Sequence, residues 1–231
     1  MIEAVYHGHS FVELVMEQGS ILIDPFITGN KLCDITTEDC LAKNLIAICL
    51  THGHSDHVGD TIELSTQSGC SVIAMVELCA WLESKGVTTA IDMNIGGVYK
   101  GSGRSVAFTR ADHSSSNPDG GYAGLAAGLI LTIGNYSIYH AGDTGLFAEM
   151  SSLTKYHLNL AFLPIGDRYT MGVDDAVIAC SYIAPKIVVP IHYDTFPHIK
   201  ADPQDFARQI MLENYAVPKV LKSGQAVILG V

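Results

Sequence analysis

The sequence predicts an α+β fold in which two β-rich layers pack face to face with helices on the outside. Three observations predict it. Short apolar strands alternate with helix-length segments, and the theme occurs twice along the chain. No low-complexity linker divides the two occurrences, so a single domain is expected over 1–231, with similar halves of roughly 1–115 and 116–231. The composition is core-rich, 48% apolar and 16% charged over 231 residues, which suits a packed domain and not a disordered chain.

The elements follow in order. Phe11–Met16 and Ser20–Asp24 flank Gln18-Gly19 and read as a hairpin. Leu45–Thr51 is an apolar run that stops at a histidine cluster, and His57 to about Ser68 reads as a helix. Ser71–Met75 is a strand and Val76–Lys85 a helix with Gly86 as its stop. Val106–Arg110 is a strand ending just before His113. Residues 120–142 carry no formal charge and are long enough to span a bilayer. Six glycines and the Gly134-Asn135 pair instead make them two buried strands, Leu129–Ile133 and Ser137–Ala141, joined by a turn. A helix is expected from Gly145, a strand over Leu160–Pro164, and a helix over Asp174–Ile183 with Asp174 as N-cap. Lys186–Ile191 is a strand ending at His192, and Asp202-Pro203 starts a helix to about Asn214. Val220–Leu229 closes the chain as one or two strands around Ser223-Gly224.

The net charge of −11 and only 13 Lys and Arg argue against a nucleic-acid partner. The six cysteines form no C-x-x-C pair and mostly sit in apolar runs, so reduced thiols in a cytoplasmic protein are expected. The N-terminus lacks a basic region followed by an apolar stretch, so no signal peptide and no membrane association are expected.

The chemistry concentrates in Thr51-His52-Gly53-His54-Ser55-Asp56-His57, four candidate metal ligands within six residues. His52 and His54 are two apart and share a side of an extended loop. Asp56 and His57 lie at the start of a helix and can face a second position. Further candidates each follow an apolar strand: His113 after Thr109, Asp143 after Tyr139, His192 after Val189. Residues at the ends of several strands can converge on one rim. Imidazoles suit zinc, copper, iron or nickel, and carboxylates also admit manganese. Two ions side by side need a shared anion, and Asp143 is the carboxylate best suited.

H-x-H-x-D-H followed by a His, an Asp and a His at strand ends resembles the metallo-β-lactamase superfamily over most of the chain. That resemblance implies a four-layer αββα sandwich. It implies that His52, His54 and His113 hold one metal, that Asp56, His57 and His192 hold a second, and that Asp143 bridges them. His7-Gly8-His9-Ser10, Leu22-Ile23-Asp24-Pro25-Phe26, Ala111-Asp112-His113-Ser114-Ser115, Leu163-Pro164-Ile165-Gly166-Asp167, Tyr169-Thr170-Met171-Gly172 and Pro190-Ile191-His192-Tyr193-Asp194-Thr195-Phe196 look like the small metal-dependent hydrolases related to ascorbate-6-phosphate lactonases. The implied function is hydrolysis of a small ester, lactone or phosphoester by a hydroxide held between two divalent ions. Zinc comes first, with manganese or iron as alternatives. Asp56 and Asp143 are the residues expected to act in the chemistry, with no covalent nucleophile. A homo-oligomer is expected.

Other residues carry weaker readings. Asp24 either orients a ligand or is a turn residue before Pro25. His7 and His9 read first as packed, hydrogen-bonded histidines and second as pocket lining. His140 reads as a core group, and His157 and His198 as surface residues. Ser114, Tyr122, Arg168 and Tyr193 are candidate substrate contacts, with a surface ion pair to Asp167 or Asp174 as the plainer reading of Arg168. Three rival functions stand beside the hydrolase. A nuclease would need an exosite that this acidic chain lacks room for. A di-iron redox protein of this superfamily carries Glu where His54 stands. A non-catalytic metal-binding module remains as the third.

Overall fold

A computed structural model of the chain describes residues 1–230. They form two compact units. Unit 1 holds Met1–Asn94, Ser114–Ala126 and the segment from Lys222 onward. Unit 2 holds Ile95–His113 and Ala127–Leu221. The division is therefore not a single cut near residue 115.

Unit 1 begins with β1 (Ile2–Tyr6), β2 (Val12–Met16) and β3 (Gly19–Ile23). The expected hairpin forms, with Met16 paired to Gly19 around Glu17-Gln18. Helix α1 (Thr37–Leu41) follows, its N-terminus capped by a Thr36–Asp39 capping box. Strand β4 (Leu45–Cys49) leads to α2 (Ser55–Val58) and α3 (Thr61–Ser68). The single helix expected over 57–68 is thus broken at Gly59, whose φ is +46°. The cause is packing. Gly59 lies against the Pro25 carbonyl, and the Asp60 amide donates to that same oxygen at 3.0 Å. The Asp60 carboxylate then accepts from the amides of Ile27 and Thr28 at 2.9 and 2.8 Å. Strand β5 (Ser71–Met75), helix α4 (Val76–Ser84) and strand β6 (Ala90–Met93) complete this part. Helix α4 buries Leu78, Cys79 and Leu82, the spacing of one helical face.

Unit 2 contributes β7 (Val98–Gly101), β8 (Arg104–Arg110), β9 (Ala127–Ile133) and β10 (Tyr136–His140). The uncharged stretch is indeed two strands, paired from Ile133 with Tyr136 across the Gly134-Asn135 turn. A 3-10 helix over Ala148–Tyr156 stands where a helix from Gly145 was expected. Then come β11 (Leu160–Pro164), α5 (Val173–Ile183), β12 (Ile187–Ile191), α6 (Pro203–Glu213) and the short β13 (Val217–Pro218). The N-cap of α5 is Gly172, not Asp174, which lies inside the first turn. There its negative charge still complements the helix dipole. Asp202 caps α6 as expected, accepting from the Gln204 amide at 2.9 Å. The chain returns to unit 1 as β14 (Gln225–Leu229).

Each unit is one seven-stranded mixed sheet with its own helices. The orders are β14-β1-β2-β3-β4-β5-β6 and β13-β12-β11-β10-β9-β8-β7. Counted from β14 and from β7, both sheets have three antiparallel pairings and then three parallel ones. The core of unit 2 gathers Tyr139, Ala161, Leu163 and Val188 from the sheet with Ala176, Cys180, Ile183, Phe206 and Ile210 from α5 and α6. All six cysteines are free thiols. Burial pushes the Cys40, Cys79 and Cys180 thiols up to about 12, so they pack as small apolar groups. Among the described residues no helix is long and apolar enough to cross a membrane.

Candidate metal centre

In unit 1 the donors are built at the ends of two adjacent parallel strands. Strand β3 pairs with β4 in a register that places Ile23 beside Cys49. Asp24 follows β3 directly, fully buried and with φ +48°. It therefore sits beside the chain that leaves β4 as Leu50-Thr51-His52. Its Oδ1 accepts from the Thr51 amide at 2.8 Å. Its Oδ2 accepts from the Thr51 hydroxyl at 2.6 Å and lies 2.8 Å from His57 Nδ1. A carboxylate only accepts, so His57 Nδ1 carries a hydrogen. The Thr51 hydroxyl has spent its one hydrogen on Asp24. It therefore accepts at its 3.0 Å contact with His52 Nδ1. Both rings are thus held in the tautomer that presents Nε2 as a lone-pair donor, the form a metal needs. Asp24 thus contacts His57 directly and His52 through Thr51.

His54 Nδ1 lies 3.0 Å from His52 Nε2. Neighbouring donors of a tetrahedral metal with ~2.0–2.1 Å bonds stand roughly 3.4 Å apart, close to this spacing. Asp56, in the first turn of α2, places Oδ2 3.1 Å from His9 Nε2 and 4.0 Å from His57 Nε2. Gly53 lets the segment from Ser114 to Ala126 lie directly on this loop. A Cβ there would meet the Ser116 carbonyl oxygen at 2.8 Å, and the Gly53 amide donates to Ser115 Oγ at 3.1 Å.

In unit 2 the donors come singly from separate strand ends. His113 follows β8 by three residues, Asp143 follows β10 by three, and His192 follows β12 directly. The Asp143 Oδ2 atom lies 3.1 Å from His192 Nε2 and 3.5 Å from His113 Nε2. One carboxylate oxygen thus lies within reach of two imidazoles. Two braces hold it. The Asp112 amide donates to Thr144 Oγ1 at 2.9 Å and its carbonyl accepts from the Gly145 amide at 3.1 Å, tying the neighbours of His113 to those of Asp143. His192 has φ +57°, and Gly166 packs against its carbonyl and ring, where any Cβ would collide.

The remaining candidates separate clearly. His9 is fully buried beside Asp56. His7 lies between Asp34 and Glu13 at 2.8 and 3.1 Å, which bears out the hydrogen-bonded reading. Burial alone would raise the Glu13 carboxyl, but hydrogen bonds from His7, Lys43 and Ser20 outweigh it and hold it at about 2. His140 is buried and its Nδ1 accepts from the Gly142 amide at 3.1 Å, a satisfied core group. His157 and His198 are exposed. Ser114 and Tyr122 are exposed on a loop stiffened by Asn117, which accepts from the amides of Asp119 and Gly121. Arg168 is exposed over the Tyr169 ring and makes no ion pair among the described residues. Tyr193 packs in the unit 2 core, where burial pushes its hydroxyl up to about 12. Thr51, Thr144, Gly53 and Gly166 were missed as supports. The available signal was their position beside a candidate ligand or, for Gly166, two residues after a strand.

The donor set fits divalent metal ions. It offers imidazoles in fixed tautomers and carboxylates, with the carboxylate–histidine pairing that tunes metal ligands. Comparison with known proteins agrees. Residues 20–193 match the family described as beta-lactamase superfamily domain. A UPF0173 metal-dependent hydrolase of Lysinibacillus sphaericus (strain C3-41) is 46% identical, covering 98% of this chain and 99% of the relative. Another from Geobacillus thermodenitrificans (strain NG80-2) is 44% identical over 97% and 98%. Among solved structures, Igni18, a metallo hydrolase from Ignicoccus hospitalis, superposes with a TM-score of 0.91 at 37% identity, covering 100% of this chain and 99% of that one. The diiron β-hydroxylase CmlA from Streptomyces venezuelae shares the fold at a TM-score of 0.75 and 13% identity, covering 99% of this chain and 54% of its own. The fold alone therefore does not set the reaction. The chain belongs to the metallo-β-lactamase superfamily, within its UPF0173 group of metal-dependent hydrolases.

Proposed function

We propose that this chain hydrolyses a small ester, lactone or phosphoester with two divalent metal ions, zinc before manganese or iron. In this reading His52, His54 and His113 hold one ion, Asp56, His57 and His192 hold the other, and Asp143 is shared. The observation that carries it is the Asp143 carboxylate oxygen lying 3.1 and 3.5 Å from His192 and His113, one histidine from each ligand set. When bound, the ions supply a hydroxide nucleophile at neutral pH and polarise the scissile carbonyl or phosphoryl group. The protein's own part is preorganisation. Asp24 and Thr51 keep the Nε2 atoms of His52 and His57 as lone-pair donors, so no tautomer change precedes binding. In this reading Asp56, partly exposed in the first turn of α2, accepts a proton during turnover. The exposed loop of Ser114 and Tyr122 is the surface that meets substrate. The net charge of −11 favours a small molecule over nucleic acid.

The test is metal content of protein purified without added metal, measured beside Asp143→Ala and His54→Ala. About two ions per chain, reduced in both variants, are expected. Near-zero metal that neither zinc nor manganese restores would overturn the reading.

A further inference from the structure

The turn between β1 and β2 holds a histidine that the proposed ligand set does not use. His7 to Phe11 closes tightly, with the His7 amide donating to Phe11 O at 2.9 Å and the Phe11 amide to Gly8 O at 3.1 Å. Two successive residues have positive φ, Gly8 at +92° and His9 at +58°. A histidine in that region is uncommon, and such conformations gather at functional sites where surrounding structure over-determines them. Here the surroundings do so. The His9 ring is fully buried, edge-on to Phe26 at 5.6 Å and 77°, and 5.5 Å from the His57 ring. Its Nε2 lies 3.1 Å from Asp56 Oδ2. An ionised carboxylate can only accept, so His9 Nε2 carries the hydrogen.

We propose that His9 is a positioning residue for Asp56: its Nε2–H holds Oδ2 and so fixes the rotation of that carboxylate. The inference rests on the proposed function, in which Asp56 is a ligand and proton acceptor. Asp56 is an aspartate on a four-residue helix, and its side chain is 27% exposed. Short carboxylates at such a site rotate readily. A buried donor on one oxygen removes that freedom before metal or substrate arrives.

The experiment compares His9→Gln with His9→Leu. Both carry the same backbone penalty at positive φ, since neither is Gly or Asn, so their difference isolates the hydrogen bond. The Gln amide nitrogen reaches about where imidazole Nε2 lies. Metal per chain and the visible spectrum of cobalt(II)-loaded protein need no substrate, and kcat and KM are read on an ester and lactone panel. His9→Leu is expected to keep its metal count, alter the cobalt spectrum, and lower kcat about 10–100-fold with little change in KM. His9→Gln is expected to restore the wild-type spectrum and most of kcat. Equal behaviour of the two variants, or a wild-type spectrum and kcat in His9→Leu, overturns the proposal. Loss of about one ion per chain in both also overturns it, because His9 would then be a ligand itself. If His9→Leu does not fold, His9→Asn takes its place, since Asn tolerates positive φ but is too short to reach Asp56. Wild-type protein that binds no metal would sink the proposed function, whereas metal-loaded wild type with indistinguishable variants sinks only the role of His9.

Discussion

The two units share one sheet pattern but spend matching positions differently. Counted from β14 and from β7, strand β1 corresponds to β8 and β3 to β10. In unit 1 the residues after β1 and β3 are His9 and Asp24, and both stand behind other side chains, on Asp56 and on His57 with Thr51. In unit 2 the residues after β8 and β10 are His113 and Asp143, themselves candidate donors. Unit 1 concentrates its donors in one loop after β4 and buttresses them from neighbouring strands. Unit 2 spreads its donors over β8, β10 and β12 and braces them through backbone and hydroxyl contacts. The support in unit 1 comes from side chains of neighbouring strands, and that in unit 2 from the backbone and a threonine hydroxyl.

That contrast can be broken most directly at Asp24. Asp24→Asn keeps a residue that tolerates the positive φ but removes the charge that fixes two ring tautomers. Metal affinity or kcat/KM should fall toward the upper end of about 10–100-fold, while Thr144→Val in unit 2 stays near the lower end. Chelator competition and steady-state kinetics measure both, and equal losses would show that the two units need the same support. Next in size, Gly166→Ala forces a Cβ into the His192 carbonyl and ring. Overpacking of this kind should cost about 1–3 kcal/mol in denaturant unfolding and reduce metal occupancy, whereas a neutral result would mean His192 has room to shift. The smallest effect sharpens the comparison at the His7–Glu13 pair of unit 1. The Glu13 carboxyl is held at about 2, below its ordinary 4.5, so it contributes stability above that ordinary value and loses it as pH falls through 2. Glu13→Gln should therefore be less stable by about 2 kcal/mol at pH 7 and converge with wild type in acid. A gap that stays constant down to pH 2 would contradict the His7–Glu13–Lys43 account.

The same contrast explains what could be read before the structure. The donors of unit 1 stand within six residues, so their chemistry is visible as a local pattern. Those of unit 2 were found only because each follows an apolar run. Tyr193 drew notice because it follows the candidate ligand His192 directly. At a strand end the next side chain can turn into the core, and this one does. The break at Gly59 was hidden because the reason for it, the Pro25 carbonyl, is 34 residues away in sequence. Strands β1, β6, β7 and β13 were not assigned; β6 and β7 have partly exposed faces with no clear apolar period, and β13 is only two residues long.

The sequence by itself determined the α+β class, most of the strands that lead to candidate ligands, and which side chains have metal-binding chemistry. Those are properties of local period and residue type. Only the tertiary structure decided what stands behind the candidate ligands: that Asp24 fixes two imidazole tautomers, that His9 meets Asp56, and that Thr144 and Gly166 pack against unit 2's candidate donors. Each of these depends on a contact between segments brought together by strand pairing and turn packing, and strand order is set by the sum of many burial and hydrogen-bond terms that no short stretch of sequence contains.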